Sequence, residues 1–225
     1  MKRFRNLFAI LLALTLMLAG CGGEGSEGGE EAEVPEGKAV SLGVITEVVY
    51  ENEYLDVRFA PENWQLVGAE DLQADLEDVR AMMEDTEVGE QMEGLEQVMD
   101  MQGMAPDGMS NVNVVYTRTP TMERIANLAI DEDTAMDAIL AQKDALFESY
   151  AAAGIEAETM EKCTVIYRGE ERIGIKTVGS VQGIPCFILQ VYERTLGDYS
   201  AAVTVSTFQE DSTEVLMEMF EKLNP

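Results

Sequence analysis

Between Lys162 and Phe208 the chain repeats one pattern four times, a run of alternating apolar and polar side chains followed by a few turn-forming residues. The runs are Lys162 to Tyr167, Arg172 to Val178, Ile184 to Arg194 and Tyr199 to Phe208. Their turns are Arg168-Gly169-Glu170-Glu171, Ser180-Val181-Gln182-Gly183 and Leu196-Gly197-Asp198. Successive side chains of a strand point to opposite faces of a sheet, so period-two runs joined at hairpin spacing predict an antiparallel meander. Ile184 to Val191 is apolar at both parities, which predicts a central strand covered on both sides.

The flanking sequence adds further elements. Ser41 to Tyr50 and Glu53 to Phe59 read as two strands joined at Glu51-Asn52, with Leu55, Val57 and Phe59 alternating against Asp56 and Arg58. Glu70 to Glu84 puts Leu72, Leu76, Val79 and Met83 on one helical face, and Glu90 to Met101 does so more weakly with Met92, Leu95 and Met99. Asn111 to Arg118 reads as a strand. Asp131 to Tyr150 reads as a helix with Ala135, Ile139, Leu146, Phe147 and Tyr150 on its apolar face and Thr134 with Asp137 as a capping pair. Ser212 to Leu223 reads as a closing amphipathic helix with Val215, Leu216, Met219 and Leu223 inward.

The order ββ, α(α), β, α, ββββ, α predicts an α+β fold, an antiparallel sheet of about six to seven strands flanked by helices. It resembles the PsbP-like α/β sandwich, a superfamily that includes an extrinsic photosystem subunit and many bacterial lipoproteins. The resemblance rests on the hairpin ending in Phe59-Ala60-Pro61-Glu62-Asn63-Trp64, the helix 131–150 and the meander closed by the helix 212–223. The Met-rich stretch 82–109 departs from it as a helical insertion. The resemblance implies an accessory or binding module without a catalytic apparatus.

The N-terminus carries an address. Lys2, Arg3 and Arg5 precede an apolar run from Leu7 to Ala19 broken only by Thr15, the layout of a secretory signal. A helix of that length spans about 20 Å, short of the roughly 30 Å hydrocarbon core. Leu18-Ala19-Gly20-Cys21 then resembles a bacterial lipobox, which implies a diacylglyceryl group on the Cys21 thiol and cleavage just before it. Gly22 to Lys38 is dominated by Gly and Glu with Val34 as its one bulky apolar residue, a composition that buries too little surface to offset chain entropy. The expected organisation is a signal peptide over 1–20, a lipidated cysteine and flexible acidic tether over 21–39, and one domain over 40–225.

Charge and chemistry narrow the function. Fifteen Lys plus Arg stand against 43 Asp plus Glu, for a formal net charge of −28. Such a surface repels phosphate, which excludes direct binding of nucleic acid, and it rules out a polybasic mode of membrane attachment. The sequence has no histidine, which removes Ser-His-Asp and Cys-His nucleophilic systems and imidazole zinc sites. Neither a Walker-type nor a dinucleotide-type glycine loop is present. Cys163 and Cys186 are either an extracytoplasmic disulfide or two buried thiols acting as small apolar residues. Met99, Met101 and Met104 offer thioethers to Cu(I), the competing reading being adaptable core packing. Asp131-Glu132-Asp133 lacks the spaced ligands of a calcium loop and suits a helix start. Trp64 reads as a core anchor.

The expectation is therefore a non-enzymatic, membrane-anchored extracytoplasmic lipoprotein without cofactor, binding a protein or envelope component. A small-ligand or divalent-metal carrier or sensor is the alternative. Two or more acyl chains are needed for durable anchoring, because each buried CH₂ contributes about 0.8 kcal/mol. Metabolic labelling with a fatty acid should mark the wild-type chain and leave Cys21→Ser unlabelled, and persistent labelling of the variant would refute the lipobox.

Overall fold

The structure, a computed structural model, describes residues 41–72, 97–118, 130–193 and 199–225. Within them two antiparallel sheets share one core. The smaller has the order β1-β2-β3-β11, formed by Val44–Thr46, Val49–Asn52, Val57–Phe59 and Phe220–Lys222. The larger has the order β4-β5-β6-β10-β9-β8-β7, formed by Gln65–Gly68, Gln97–Met104, Ser110–Arg118, Tyr199–Phe208, Ile184–Glu193, Glu170–Val181 and Glu156–Tyr167.

The meander strands form as their pattern predicts, with β7 and β8 each extending to 12 residues; Arg194 and the third turn, Leu196-Gly197-Asp198, lie outside the described residues. Tyr167 pairs with Glu170 and Val181 with Ile184, so each hairpin closes through two residues. Arg168-Gly169 and Gln182-Gly183 all adopt positive φ, the backbone that matches the right-handed twist of the flanking strands. β9 lies between β8 and β10, well inside the sheet.

Parity sorts the large sheet into two faces. Val112, Val114, Tyr116, Val165, Tyr167, Leu189, Val191, Ala201, Val203 and Val205 face the small sheet and pack with Tyr50, Leu55, Val57, Phe59 and Phe220. Phe59 and Phe220 stack at 4.5 Å and Trp64 meets Phe59 edge-on at 5.6 Å, so the tryptophan is a core anchor. The opposite face carries Met160, Ile175, Cys186 and Ile188. These are covered by Met136, Leu146 and Tyr150 from α1 (Glu132–Leu140) and α2 (Lys143–Ala152).

Several expectations are corrected. The strand expected over Ser41 to Tyr50 is a hairpin, turned at Glu47-Val48 with Glu47 at φ 57°. Glu51-Asn52 is strand and the turn falls after it, held by the Asn52 Oδ1 that accepts from the Leu55 amide. The expected helix over Glu90 to Met101 is β5 from Gln97 onward, so this part of the Met-rich stretch is sheet and not helix; residues 90–96 lie outside the described residues. Leu72 is buried in a helical turn, and the rest of the helix expected to Glu84 lies outside them too. The helix expected over 131–150 breaks at Ala141-Gln142, and its cap is Asp131, whose carboxylate accepts from the Thr134 amide at 2.7 Å.

The C-terminal expectation fails most instructively. Only Thr213–Glu218 is helical, labelled α3, and Phe220–Lys222 then pairs with β3. A strand ends the chain because the Phe220 ring fits between Phe59 and Tyr167 and its carbonyl accepts from the Arg168 amide. Met217 and Phe220 are fully buried and the expected Leu216 and Met219 pack half-buried against the same core, while Val215 is 65 % exposed. Met217→Ala should cost about 2–5 kcal/mol and Val215→Ala less than about 0.5 kcal/mol in urea unfolding, the reverse of what a continuous amphipathic helix requires.

Candidate functional site

β5 pairs with β6 through an irregularity that inverts its facing. Met99 opposes Val115 and Met101 opposes Val114, so Asp100 is an extra residue, a β-bulge. Its carboxylate points toward the small sheet and is fully buried there. Asp100 Oδ1 accepts from the Gly43 amide at 2.8 Å. Oδ2 accepts from Tyr50 Oη at 2.7 Å and from Asn52 Nδ2 at 2.7 Å. Asn52 Nδ2 also donates to Tyr116 Oη at 2.9 Å, which returns the network to β6.

Neutral donors alone surround this carboxylate among the described residues. Burial lifts the Asp100 carboxyl above its ordinary range, and the bonds from Tyr50, Gly43 and Asn52 only partly offset that. Burial likewise lifts the Tyr50 and Tyr116 phenols far above theirs, so both remain protonated donors at neutral pH. With every carboxylate oxygen engaged, the cluster is a structural clasp between the sheets.

A second semi-buried cluster closes the other end. Arg168 and Arg172 both pair with Glu193 Oε1, at 2.9 Å and 2.8 Å, and Arg172 Nε reaches Glu132 at 2.8 Å. Arg168 also donates to the Leu55 carbonyl, and both guanidinium groups stack over Tyr167. It ties the β7–β8 turn to β9 and α1, with Glu193 Oε1 shared between the two guanidinium groups.

Open valences do occur on the face of the large sheet turned away from the small one. The bulge places Gln102 on that face, opposite Asn113. Asn113 opposes Thr204 and Thr204 opposes Gln190, so four polar side chains form one row across β5, β6, β10 and β9. Asn111 and Ser206 oppose each other in the next row. All six residues are buried. Gln190 Nε2 donates to Thr204 Oγ1 at 3.1 Å and Tyr192 Oη donates to Gln190 Oε1 at 3.2 Å, which satisfies the β9 end. Gln102 Oε1, Asn111 Oδ1, Ser206 Oγ and both terminal atoms of Asn113 have no hydrogen-bond partner among the described residues. Buried polar atoms are normally paired, so this row stands out among the described residues, with its unpartnered atoms closed off from solvent.

The residues singled out in the sequence are placed as follows. Met99 and Met101 point to opposite faces because of the bulge. Met101 packs in the core between the sheets, while Met99 and Met104 lie on the other side. The three thioethers therefore do not converge, and the copper reading loses its geometry. Cys163 and Cys186 are free thiols on opposite faces, with β8 between their strands, so no disulfide joins them. Burial raises both, Cys186 to about 12, which keeps them protonated and unreactive. Asp131 caps α1, while Glu132 pairs with Arg172 and Asp133 with Lys162, so this acidic cluster is spent on structure. Cys21 lies outside the described residues. Among those residues no helix is long and apolar enough to cross a membrane.

No protein-family model matches the chain, and no curated protein is similar to it in sequence. The Asp100 clasp and the polar row were missed by sequence reasoning. The signal for the row was present as SNVNVV and AAVTVS, in which Asn111, Asn113, Thr204 and Ser206 alternate with valines. A polar parity normally means a solvated face, and here it is buried.

The clasp has a defined pH signature. A carboxyl raised above its unfolded value of 3.8 holds its proton more tightly when folded. Its contribution to stability is then fully present below that value and is lost as pH rises through the native one. The stability of wild type minus that of Asp100→Asn should accordingly fall between about pH 3 and pH 7, by about 1.4 kcal/mol per unit of displacement. Urea unfolding of both proteins at the two pH values measures it, and a difference that grows with pH would contradict the assignment.

Proposed function

We propose that the chain is an extracytoplasmic lipoprotein held on the outer face of a membrane through lipid on Cys21. Its α+β domain, of the PsbP-like kind, serves as a non-enzymatic binding or accessory module for a protein or envelope component. The anchor is supported by the lipobox at Leu18 to Cys21, and the non-enzymatic reading by a sequence without histidine. The binding reading is carried by one observation. β1 is the edge of the small sheet, and Leu42, Val44 and Val48, apolar side chains on and beside it, are all exposed, Val44 at 64 %. An edge strand offers unpaired backbone groups to an added strand, and exposed apolar residues supply the contact area.

The charge around that edge describes the partner. Glu47, Glu53 and Asp56 surround β1 and β2, Glu51 being paired with Arg58 at 3.3 Å, and from Ser41 to Val57 there is no Lys or Arg. An extended segment alternating apolar and basic residues is complementary to it. A photoreactive residue at position 44 of the membrane-attached full chain should give a discrete protein adduct, and one at the exposed Glu148 on α2 should not. Val44→Glu should suppress capture while moving Tm by less than about 2 °C. Equal adducts at both positions, or none at position 44, would overturn the edge-docking reading.

A further inference from the structure

We propose, building on the lipid anchor and the edge docking above, that the strand added to β1 belongs to an integral protein of the same membrane. It is a basic and apolar extended segment beside that protein's membrane-spanning part. The chain enters the domain at this edge. Gly43 N–H donates to both carboxylate oxygens of Asp100, at 2.8 Å and 3.1 Å, and Asn52 Nδ2 reaches the Ser41 carbonyl at 3.5 Å. Gly43 lies so close to the Tyr50 ring that a Cβ added there would stand 2.2 Å from it. Residues 41–43 are thereby fastened to β2 and β5, and β1 starts at the next residue, Val44. A chain advances at most about 3.5 Å per residue, so Ser41 lies within about 10 Å of Val44, and the run from Cys21 to Ser41 spans at most about 70 Å. Lipid on Cys21 therefore confines the β1 edge to a layer of about that depth over the bilayer.

That confinement matters because the edge is short. β1 has three residues, so an added strand gains few backbone hydrogen bonds, too few to offset the freedom that two independently diffusing proteins lose on association. A partner held in the same membrane has already lost much of that freedom and meets the edge at a far higher local concentration. Charge then selects the segment that docks. Glu47 and Glu53 flank the β1–β2 hairpin, and residues 22–37 hold six Glu and no Lys or Arg. A second copy sets an acidic edge against an acidic edge, and the chain's own residues 22–37 carry the same sign, so neither is the occupant. Anionic lipid is repelled for the same reason, and a basic stretch rising from the bilayer is attracted.

The test uses the membrane-attached full chain with a photoreactive residue at position 44. Mass spectrometry of the adduct should identify a protein with a membrane-spanning stretch. The crosslink should fall within about 20 residues of that stretch, the length of extended chain that crosses the layer, in a segment where Lys or Arg alternates with apolar residues. Inserting about 60 Gly and Ser residues after Gly29 lengthens the run to Ser41 about fourfold and should lower the adduct yield about twofold or more, since local concentration falls with tether length. Glu47→Lys with Glu53→Lys should lower it about threefold or more. A crosslink to a protein without a membrane-spanning stretch, a crosslink far from that stretch, or a yield indifferent to the insertion would overturn the membrane partner and leave edge docking standing. A yield unchanged by the two Lys substitutions would overturn the basic segment. Absence of any adduct at position 44 would remove edge docking and this partner together.

Discussion

The buried carboxylate of Asp100 is the constraint on which the rest of this domain depends. A bulge residue costs a ladder pair, and a buried charge costs more unless its oxygens are filled. The Gly43 amide, the Tyr50 hydroxyl and the Asn52 amide fill them, and all three belong to the segment that builds the small sheet. The bulge is therefore stable only when the small sheet is docked, and the small sheet is positioned by the bulge. Asn52 extends the dependence to the turn before β3 through Leu55, and to β6 through Tyr116.

The same extra residue decides what each face of β5 presents. Val98 and Met101 reach the core between the sheets, while Met99, Gln102 and Met104 fall together on the far side. Without the bulge a strict alternation would put Met99 and Met101 on one face and turn Gln102 to the other. Asp100 thus links two features that look independent, the clasp between the sheets and the assembly of Gln102 with Asn113. The methionine spacing that suggests a metal site in a helix or a regular strand is dispersed by it.

Much of the fold was legible where local pattern and tertiary demand agree. The meander from β7 to β10 announces itself because the two-residue turns at Arg168-Gly169 and Gln182-Gly183 have the backbone that hairpins require, and the alternation continues across them. It was illegible where tertiary contact overrides local preference. Gln97 to Met101 has helical spacing and good helix formers, yet pairing with β6 makes it a strand. Phe220 lies in a helical pattern, yet the stack with Phe59 and the bond to Arg168 draw it into a sheet whose other strands come from the start of the domain. Burial of the Asn111, Asn113, Thr204 and Ser206 parity depends on what lies above the sheet, which no period within a strand reports.

That burial sets the energetic question of the molecule. A buried polar atom left unpaired costs about 1–3 kcal/mol, and a domain is stable by only about 5–15 kcal/mol in total. The unpartnered atoms of Gln102, Asn111, Asn113 and Ser206 stand side by side in two rows, so part of that cost is concentrated on one patch of the large sheet. The Asp100 clasp shows the contrasting solution in the same strand, a more costly group satisfied entirely from within the chain. Two polar clusters two positions apart in β5 thus meet burial in opposite ways, the first holding the two sheets together with every carboxylate oxygen filled and the second carrying atoms that no described residue pairs.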